Sequence, residues 1–175
     1  QKVNLPVITQ VACGTGFTVC LSADGEVFTF GDNRNGQLGH GNKVVCGLPA
    51  KIESLSNIEF VSCGGFHTIC KSFENDIYVW GYNGAGQLGT GNTINLKHPV
   101  KATNWPENIV EIKSGDYHTL VLTENREVFS CGDNSYGKLG RPTLESFSPN
   151  FEKILSLSNI IFIECATSVF YSMCV

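Results

Sequence analysis

The sequence predicts an all-β protein, a β-propeller whose blades each contain four antiparallel strands. Within this 175-residue chain an internal repeat recurs every 50 or 51 residues. Two glycine positions mark it, Gly14, Gly64 and Gly115 in one phase and Gly31, Gly81 and Gly132 in the other. Between these glycines lie short runs of Val, Ile, Phe, Tyr and Thr, which are typical of strands. A repeat of this length without helical periodicity indicates propeller blades, each of which buries its apolar face against a neighbour.

The strands are expected in the same order in every unit. The innermost strand is expected at 8–14, 58–64, 109–115 and 160–165. An outer, fourth strand is expected at 49–54, 99–102 and 150–154. Proline fits this outer position because it cannot donate to a β-ladder and is confined to sheet edges. Residues 1–175 are therefore interpreted as one propeller segment, with repeats at 8–57, 58–108 and 109–159 and a partial repeat at 160–175.

The turn after the third strand carries the most regular part of the repeat. A glycine is followed by x-Asn-x-x-Gly-Gln-Leu-Gly-x-Gly in the first two units, and by a variant of that run in the third. The leucines of this run, Leu38, Leu88 and Leu139, are expected to anchor the turn inward. At least one of the glycines before this run, Gly31, Gly81 and Gly132, is expected to adopt a backbone conformation that other residues rarely adopt.

These turns, together with Cys-Gly-x-x-His-Thr, resemble the repeats of the regulator of chromosome condensation family. The resemblance implies a seven-bladed propeller, of which this chain supplies about three and a half blades. The remaining blades would come from a longer chain or from a second copy. Four positions depart from the pattern: Phe17 replaces the turn histidine, Lys138 and Pro142 replace Gln and Gly, and Ala166 replaces the turn glycine.

Composition limits the function. The 12 basic and 16 acidic residues are scattered singly, so direct nucleic-acid binding is not expected. No apolar run approaches the roughly 20 residues that a membrane span needs, and we expect none. Five of the eight cysteines recur at two repeat positions, Cys13, Cys63 and Cys165 at one and Cys20 and Cys70 at the other, which favours packing over disulfides or a metal site. Free thiols and the absence of an Asn-x-Ser/Thr acceptor favour an intracellular location, cytoplasmic or nuclear.

Two stretches mimic phosphate-binding motifs. Residues 84–89 match G-x-G-x-x-G, and residues 132–139 nearly match a P-loop but have Leu139 where magnesium binding needs Ser or Thr. Both motifs require a helix whose amides hold phosphate, whereas here each is one copy of the repeated turn. No nucleotide or other cofactor is expected.

Enzymatic catalysis is not expected either. His67 and His118 share one repeat position, where a hydrogen bond that shapes the turn or bridges two blades explains them best. The apparent partners of a catalytic triad recur as repeat positions, so no catalytic geometry can be argued. No catalytic residue and no metal ligand is therefore predicted.

A binding surface remains. In propellers the turns between the first two strands converge on one face, where rigid aromatic and histidine side chains are good recognition groups. The candidate partner-binding residues are Phe17, Phe66, His67, Asp116, Tyr117 and His118. The sequence thus predicts a protein–protein interaction module of an intracellular regulatory protein.

The family resemblance adds one alternative function. The exchange factor for the small GTPase Ran, a member of this family, uses acidic and histidine residues of these turns. Asp116, His67 and His118 match those positions. The alternative is therefore a guanine-nucleotide exchange factor for a Ran- or Rho-type small GTPase. The exchange factor also uses an inserted β-wedge, and the loops between the repeats here are too short to hold one.

Overall fold

A computed structural model describes residues 5–143, 145–165 and 172–174, and nearly all of its regular structure is β-sheet. Blade 1 contains β1 (Ile8–Cys13), β2 (Phe17–Ser22), β3 (Val27–Gly31) and β4 (Cys46–Lys51). Blade 2 contains β5 (Ile58–Cys63), β6 (His67–Ser72), β7 (Ile77–Gly81) and β8 (Leu96–Lys101). Blade 3 contains β9 (Ile109–Ser114), β10 (His118–Thr123), β11 (Val128–Asp133) and β12 (Phe147–Lys153). A shorter pair, β13 (Ile163–Cys165) and β14 (Ser172–Cys174), begins a further blade.

Within each blade the strands lie in sequence order and neighbours are antiparallel. Among the described residues the only helical segment is a single 3-10 turn, Ser135–Gly137. No helix in that part of the chain is long and apolar enough to cross a membrane. The predicted class, all-β propeller blades of four antiparallel strands, is confirmed.

The innermost strands of successive blades lie side by side. The Gln10 side chain accepts from the Val61 amide at 3.1 Å and donates to the Val61 carbonyl at 2.8 Å. The Ser62 and Ser114 hydroxyls are 2.9 Å apart, which links β5 to β9 in the same way. These contacts join residues about one repeat apart and hold the inner strands of successive blades next to each other.

The outer strands begin three residues earlier than predicted. They start at 46, 96 and 147 rather than at 49, 99 and 150, so each contains its proline instead of starting at or after it. In blade 1 the register shifts here, because Gly31 pairs with Cys46 while Thr29 pairs with Ala50. Pro49 therefore lies in an irregular stretch of an edge strand, where no ladder bond requires its missing N–H.

The repeated turn after the third strand ties each blade to the next one. Leu38, fully buried, donates its amide to the Asn33 side chain at 2.9 Å, which closes the turn. The Gln37 carbonyl then accepts hydrogen bonds from two residues of blade 2, the Thr68 hydroxyl at 2.9 Å and the Trp80 indole at 2.8 Å. Leu88 and Leu139 are equally buried in the second and third turns.

Candidate partner-binding face

The turns between the first and second strands of the blades lie at one end of the sheets and are linked to one another. The Thr15 amide donates to the Gly65 carbonyl at 2.9 Å, and the Gly65 amide donates to the Gly115 carbonyl at 3.3 Å. Each turn also accepts a hydrogen bond from the residue after the third-strand glycine. In blade 2 the Tyr82 amide donates to the Phe66 carbonyl at 2.8 Å. We call this surface the turn face; it comprises residues 14–17, 64–67 and 115–118 with residues 32, 82 and 133.

The turn glycine is required by a close approach. A Cβ atom on Gly64 would lie 2.0 Å from His67 Cε1 and 2.3 Å from the Gly115 carbonyl oxygen. The imidazole therefore occupies the space that a side chain at position 64 would need. This contact turns the ring back onto its own turn and toward the next blade.

Three of the predicted binding residues do not reach the surface. Phe17, His67 and His118 are 3%, 0% and 1% exposed, so their rings are not available to a partner. This corrects the expectation that they project from the face. The physical reason is the glycine before each ring, which leaves a space that the ring fills. Phe66, Asp116 and Tyr117, the neighbours of the two histidines in the turns, are partly exposed.

His67 bridges two blades in a defined tautomer. Its Nε2 lies 3.3 Å from the Thr119 hydroxyl, and that hydroxyl donates its proton to the Gln87 carbonyl at 2.7 Å. His67 must therefore donate through Nε2, which leaves Nδ1 unprotonated. Nδ1 is buried without a hydrogen-bond partner, so a second proton there would find no acceptor. Burial, and to a smaller extent His118, lowers the pKa of His67 to about 3.

His118 occupies the same position one blade later, with Nε2 at 3.5 Å from Cys165 Sγ. Burial and the nearby positive charge of Lys138 lower its pKa to about 4, against an opposing contribution from Asp133. Both histidines are thus neutral parts of the seams between blades. The blade-bridging interpretation made from the sequence fits these contacts.

Replacing His67 by phenylalanine, the residue that blade 1 has at this position, is expected to reduce the acid sensitivity of the fold. The folded pKa lies below the ordinary value of 6.5, so stability is fully present above pH 6.5 and is lost as the pH falls toward 3. Between pH 7 and pH 5 the free energy of unfolding should fall by about 2 kcal/mol less in the variant. Urea denaturation at both pH values measures this difference, and equal losses in the two proteins would contradict it.

Three aromatic rings form the partly exposed centre of the turn face. The Phe66 and Tyr117 ring centroids are 5.7 Å apart with an interplanar angle of 34°. The Tyr82 and Tyr117 centroids are 5.9 Å apart with an angle of 74°. We call Phe66, Tyr82 and Tyr117 the aromatic cluster; it spans the seam between blades 2 and 3.

Tyr82 is a further member of this face that the sequence does not predict. It follows the third-strand glycine, at the position that Asp32 and Asp133 hold in the other two blades. When the repeats are aligned, Tyr82 stands out because the other two units have an aspartate at this position. The role of Tyr82 depends on its contact with Tyr117 of the neighbouring blade, and the local sequence does not predict that contact.

Asp116 lies beside this cluster in the same turn as Tyr117. Its Oδ1 is buried without a hydrogen-bond partner and packs against Gly65, where an added Cβ would lie 2.7 Å away. Burial raises the pKa of Asp116, and the positive charge of Lys138 offsets part of that effect. Burial, followed by the Asp116 carboxylate, also raises the pKa of Tyr117.

The acidic residues at the ends of the third strands are paired. Asp32 binds the Arg34 guanidinium at 2.9 Å, and Asp133 binds the Lys138 ammonium. Arg34 lowers the pKa of Asp32, and the hydrogen bonds from Lys138 and Ser135 lower that of Asp133 against the opposing effect of burial. Among the described residues of the turn face, Asp116 is the carboxylate without an ion pair at 4 Å or less.

The remaining motifs have structural roles in this region. The phosphate-motif look-alikes at 84–89 and 132–139 form the turns that follow β7 and β11. The described part of the chain contains no group of three or more His, Cys, Asp or Glu residues placed to hold a metal ion. Six cysteines have free thiols, and burial raises the pKa of three of them, Cys63, Cys70 and Cys131; the six are Cys13, Cys20, Cys46, Cys63, Cys70 and Cys131.

Four-stranded blades, a Gly-Gln-Leu-Gly turn bound by the next blade and linked inner turns together define a propeller repeat protein. The sequence profile described as "Regulator of chromosome condensation (RCC1) repeat" matches residues 24–70 and 74–122. A second profile with the same description matches residues 8–37, 58–87 and 109–138. The chain belongs to the regulator of chromosome condensation repeat family.

Curated relatives share the repeat but are longer proteins. The E3 ubiquitin-protein ligase HERC2 of Homo sapiens is 41% identical over 148 residues, which are 81% of this chain and 3% of that protein. The ultraviolet-B receptor UVR8 of Arabidopsis thaliana is 36% identical over 157 residues, 87% of this chain and 35% of that protein. The chain therefore spans a minor part of the relatives that it matches.

Two solved structures of yeast Prp20 show the same fold. One is yeast RCC1 (Prp20) bound to Kap60, with a TM-score of 0.86 and 22% identity over 100% of this chain and 43% of that chain. The other is Prp20p from Saccharomyces cerevisiae, studied for its binding properties to Gsp1p and histones, with a TM-score of 0.82 and 22% identity. It covers 93% of this chain and 42% of that chain.

Proposed function

We propose that this chain is a protein–protein interaction module that docks partners on its turn face. The observation that carries the proposal is the aromatic cluster of Phe66, Tyr82 and Tyr117, partly exposed on turns that backbone hydrogen bonds hold in place. Large rings on a rigid support lose little conformational entropy on binding and are enriched at interface hot spots.

The relatives support a docking role. HERC2 is named as an E3 ubiquitin-protein ligase and UVR8 as an ultraviolet-B receptor, yet this chain matches both over most of its length. The two relatives have different named activities but similar repeats. Binding of other proteins is therefore the function that we assign to the repeats. We place the module inside the cell, in the cytoplasm or nucleus, because six of its cysteines, from Cys13 to Cys131, are free thiols.

Alanine substitutions in the aromatic cluster test the docking proposal. Partners are isolated by cross-linking to the full-length protein, and the dissociation constant of each purified partner is measured. Phe66→Ala and Tyr117→Ala are each expected to weaken binding by about 2 kcal/mol or more, about 30-fold, as for a central aromatic anchor. The matched control is Phe73→Ala, since this aromatic residue is 67% exposed at the opposite end of blade 2. Equal affinities for all variants would refute docking at the cluster.

A guanine-nucleotide exchange factor is the second candidate. Asp116 has the position of an acidic turn residue that the Ran exchange factor uses, and Prp20p has been studied for its binding to Gsp1p. Such a factor would act by displacing phosphate-loop and magnesium contacts of the GTPase.

The exchange-factor candidate is tested by release of a fluorescent guanine nucleotide from Gsp1p and from Ran- and Rho-type GTPases. We expect no acceleration, because the loops between the described blades hold no wedge. Acceleration of about tenfold or more, equivalent to about 1.4 kcal/mol off the barrier, that Asp116→Ala abolishes would establish the exchange role instead.

A further inference from the structure

We propose that the aromatic cluster and Asp116 together receive a protonated lysine or arginine side chain of the docked protein. This inference rests on the proposed docking function and names the chemical group that the face recognises.

The ring geometry suits a cation. Tyr82 and Tyr117 stand at 74° to each other with centroids 5.9 Å apart, and Phe66 lies at 34° to Tyr117 at 5.7 Å. The rings therefore form a corner rather than a flat stack. A cation is attracted to an aromatic face when it lies within about 6 Å of the ring centroid. At these spacings one ammonium or guanidinium group can contact two of the rings at once.

The carboxylate supplies the charge that a cation needs. Asp116 Oδ1 is buried with no hydrogen-bond donor, which is a costly state for an ionised oxygen. An apolar anchor placed on the rings would desolvate this carboxylate further without any compensation. A lysine or arginine side chain would instead bring a positive charge next to the carboxylate while its alkyl stem covers the rings.

The neighbouring charges favour the same occupant. Lys138 is the basic group whose charge acts on Asp116, and its ammonium is already paired with Asp133. Asp116 is the acidic group of the turn face to which the described structure gives no ion pair. A negatively charged side chain would meet this carboxylate directly, so an acidic anchor is disfavoured.

The test uses small analogues of single side chains. The full-length protein is titrated with N-acetyl-lysine methylamide and, as the neutral counterpart, with N-acetyl-norleucine methylamide. Aromatic NMR signals of Phe66, Tyr82 and Tyr117 report binding. We expect saturable shifts with the lysine compound and an affinity for norleucine that is about threefold or more weaker, in line with an exposed cation–π site.

The carboxylate is tested separately by Asp116→Asn, which keeps the shape and removes the charge. This variant should reduce the affinity for the lysine compound by about threefold to tenfold and leave that for norleucine unchanged. The matched control is Asp24→Asn, in the exposed turn between β2 and β3 at the other end of blade 1. Equal affinities for the two compounds, or an Asp116→Asn variant that binds lysine normally, would overturn the inference.

The two proposals fail in different ways. If the lysine compound does not bind while Tyr117→Ala still weakens a purified partner, the docking function stands and the cation receptor is refuted. If the compound binds but Phe66→Ala and Tyr117→Ala leave every partner unaffected, docking at the cluster is refuted. The assignment of the cation to a docked protein is then refuted with it.

Discussion

Replacing Trp80 by alanine is expected to lower the free energy of unfolding by about 3–5 kcal/mol, the cost typical of removing a buried Trp. The indole is fully buried in the cluster that joins blades 1 and 2. Its Nε1 donates to the Gln37 carbonyl at 2.8 Å, and the ring lies against Gly39. Truncation therefore removes apolar packing and a hydrogen bond across the seam, and leaves a cavity between the blades.

Urea denaturation followed by circular dichroism measures this loss. Trp80→Phe should fall between the wild type and Trp80→Ala, because it keeps part of the ring packing while it loses the bond to Gln37, worth about 1 kcal/mol. Phe73→Ala is the control, since that ring is 67% exposed and its removal should change the stability by about 0.5 kcal/mol or less. A loss below about 1 kcal/mol for Trp80→Ala would show that the blades do not meet at this ring.

The second large effect is expected for Gly81→Val, which should destabilise the fold by roughly 1–3 kcal/mol. Gly81 has a φ of +101°, a backbone region that β-branched residues avoid. A Cβ there would also lie 2.6 Å from the Phe66 carbonyl oxygen and 2.8 Å from His67 Cα. The substitution would push the third strand away from the turn that carries the aromatic cluster.

Thermal unfolding monitored by circular dichroism tests this prediction against Gly47→Val. Gly47 also lies in a strand, but an added Cβ there would meet nothing within 4 Å and its φ is not positive. The control variant should melt close to the wild type. An unchanged melting temperature for Gly81→Val would remove the argument that this glycine is conformationally required.

Much of the fold could be predicted because the same pattern of glycines and apolar runs occurs in each repeat. The phase of Gly14, Gly64 and Gly115 locates the inner strands, and short β-branched runs give their length. The outer strands were placed three residues too late at their start, because β4 pairs with Gly31 across an irregular register. Proline marks an edge strand, but it does not mark where that strand begins, since Pro49 lies inside β4.

The candidate site was only partly predictable. Sequence spacing locates the turns, but it does not show on which side of the chain a ring lies. Phe17, His67 and His118 fold inward over their turn glycines, while Phe66 and Tyr117 remain partly exposed. These directions depend on the space that glycine leaves and on contacts between blades.

Tyr82 illustrates the same limit. It joins the cluster because the end of β7 meets a turn of blade 3, and that contact links residues 35 positions apart in the chain. Its equivalents Asp32 and Asp133 form local ion pairs instead. The repeat gives the position of this residue, while only the packed structure gives its partner.

Site-specific photo-cross-linking tests the central claim, docking on the turn face, most directly. A photoreactive phenylalanine analogue is placed at Tyr117 in the full-length protein, and at Phe73 as the control, and both are illuminated in cells. Docking on the turn face predicts discrete protein adducts from position 117 that are absent from position 73. Adducts from position 73 alone, or the same adducts from both positions, would contradict it.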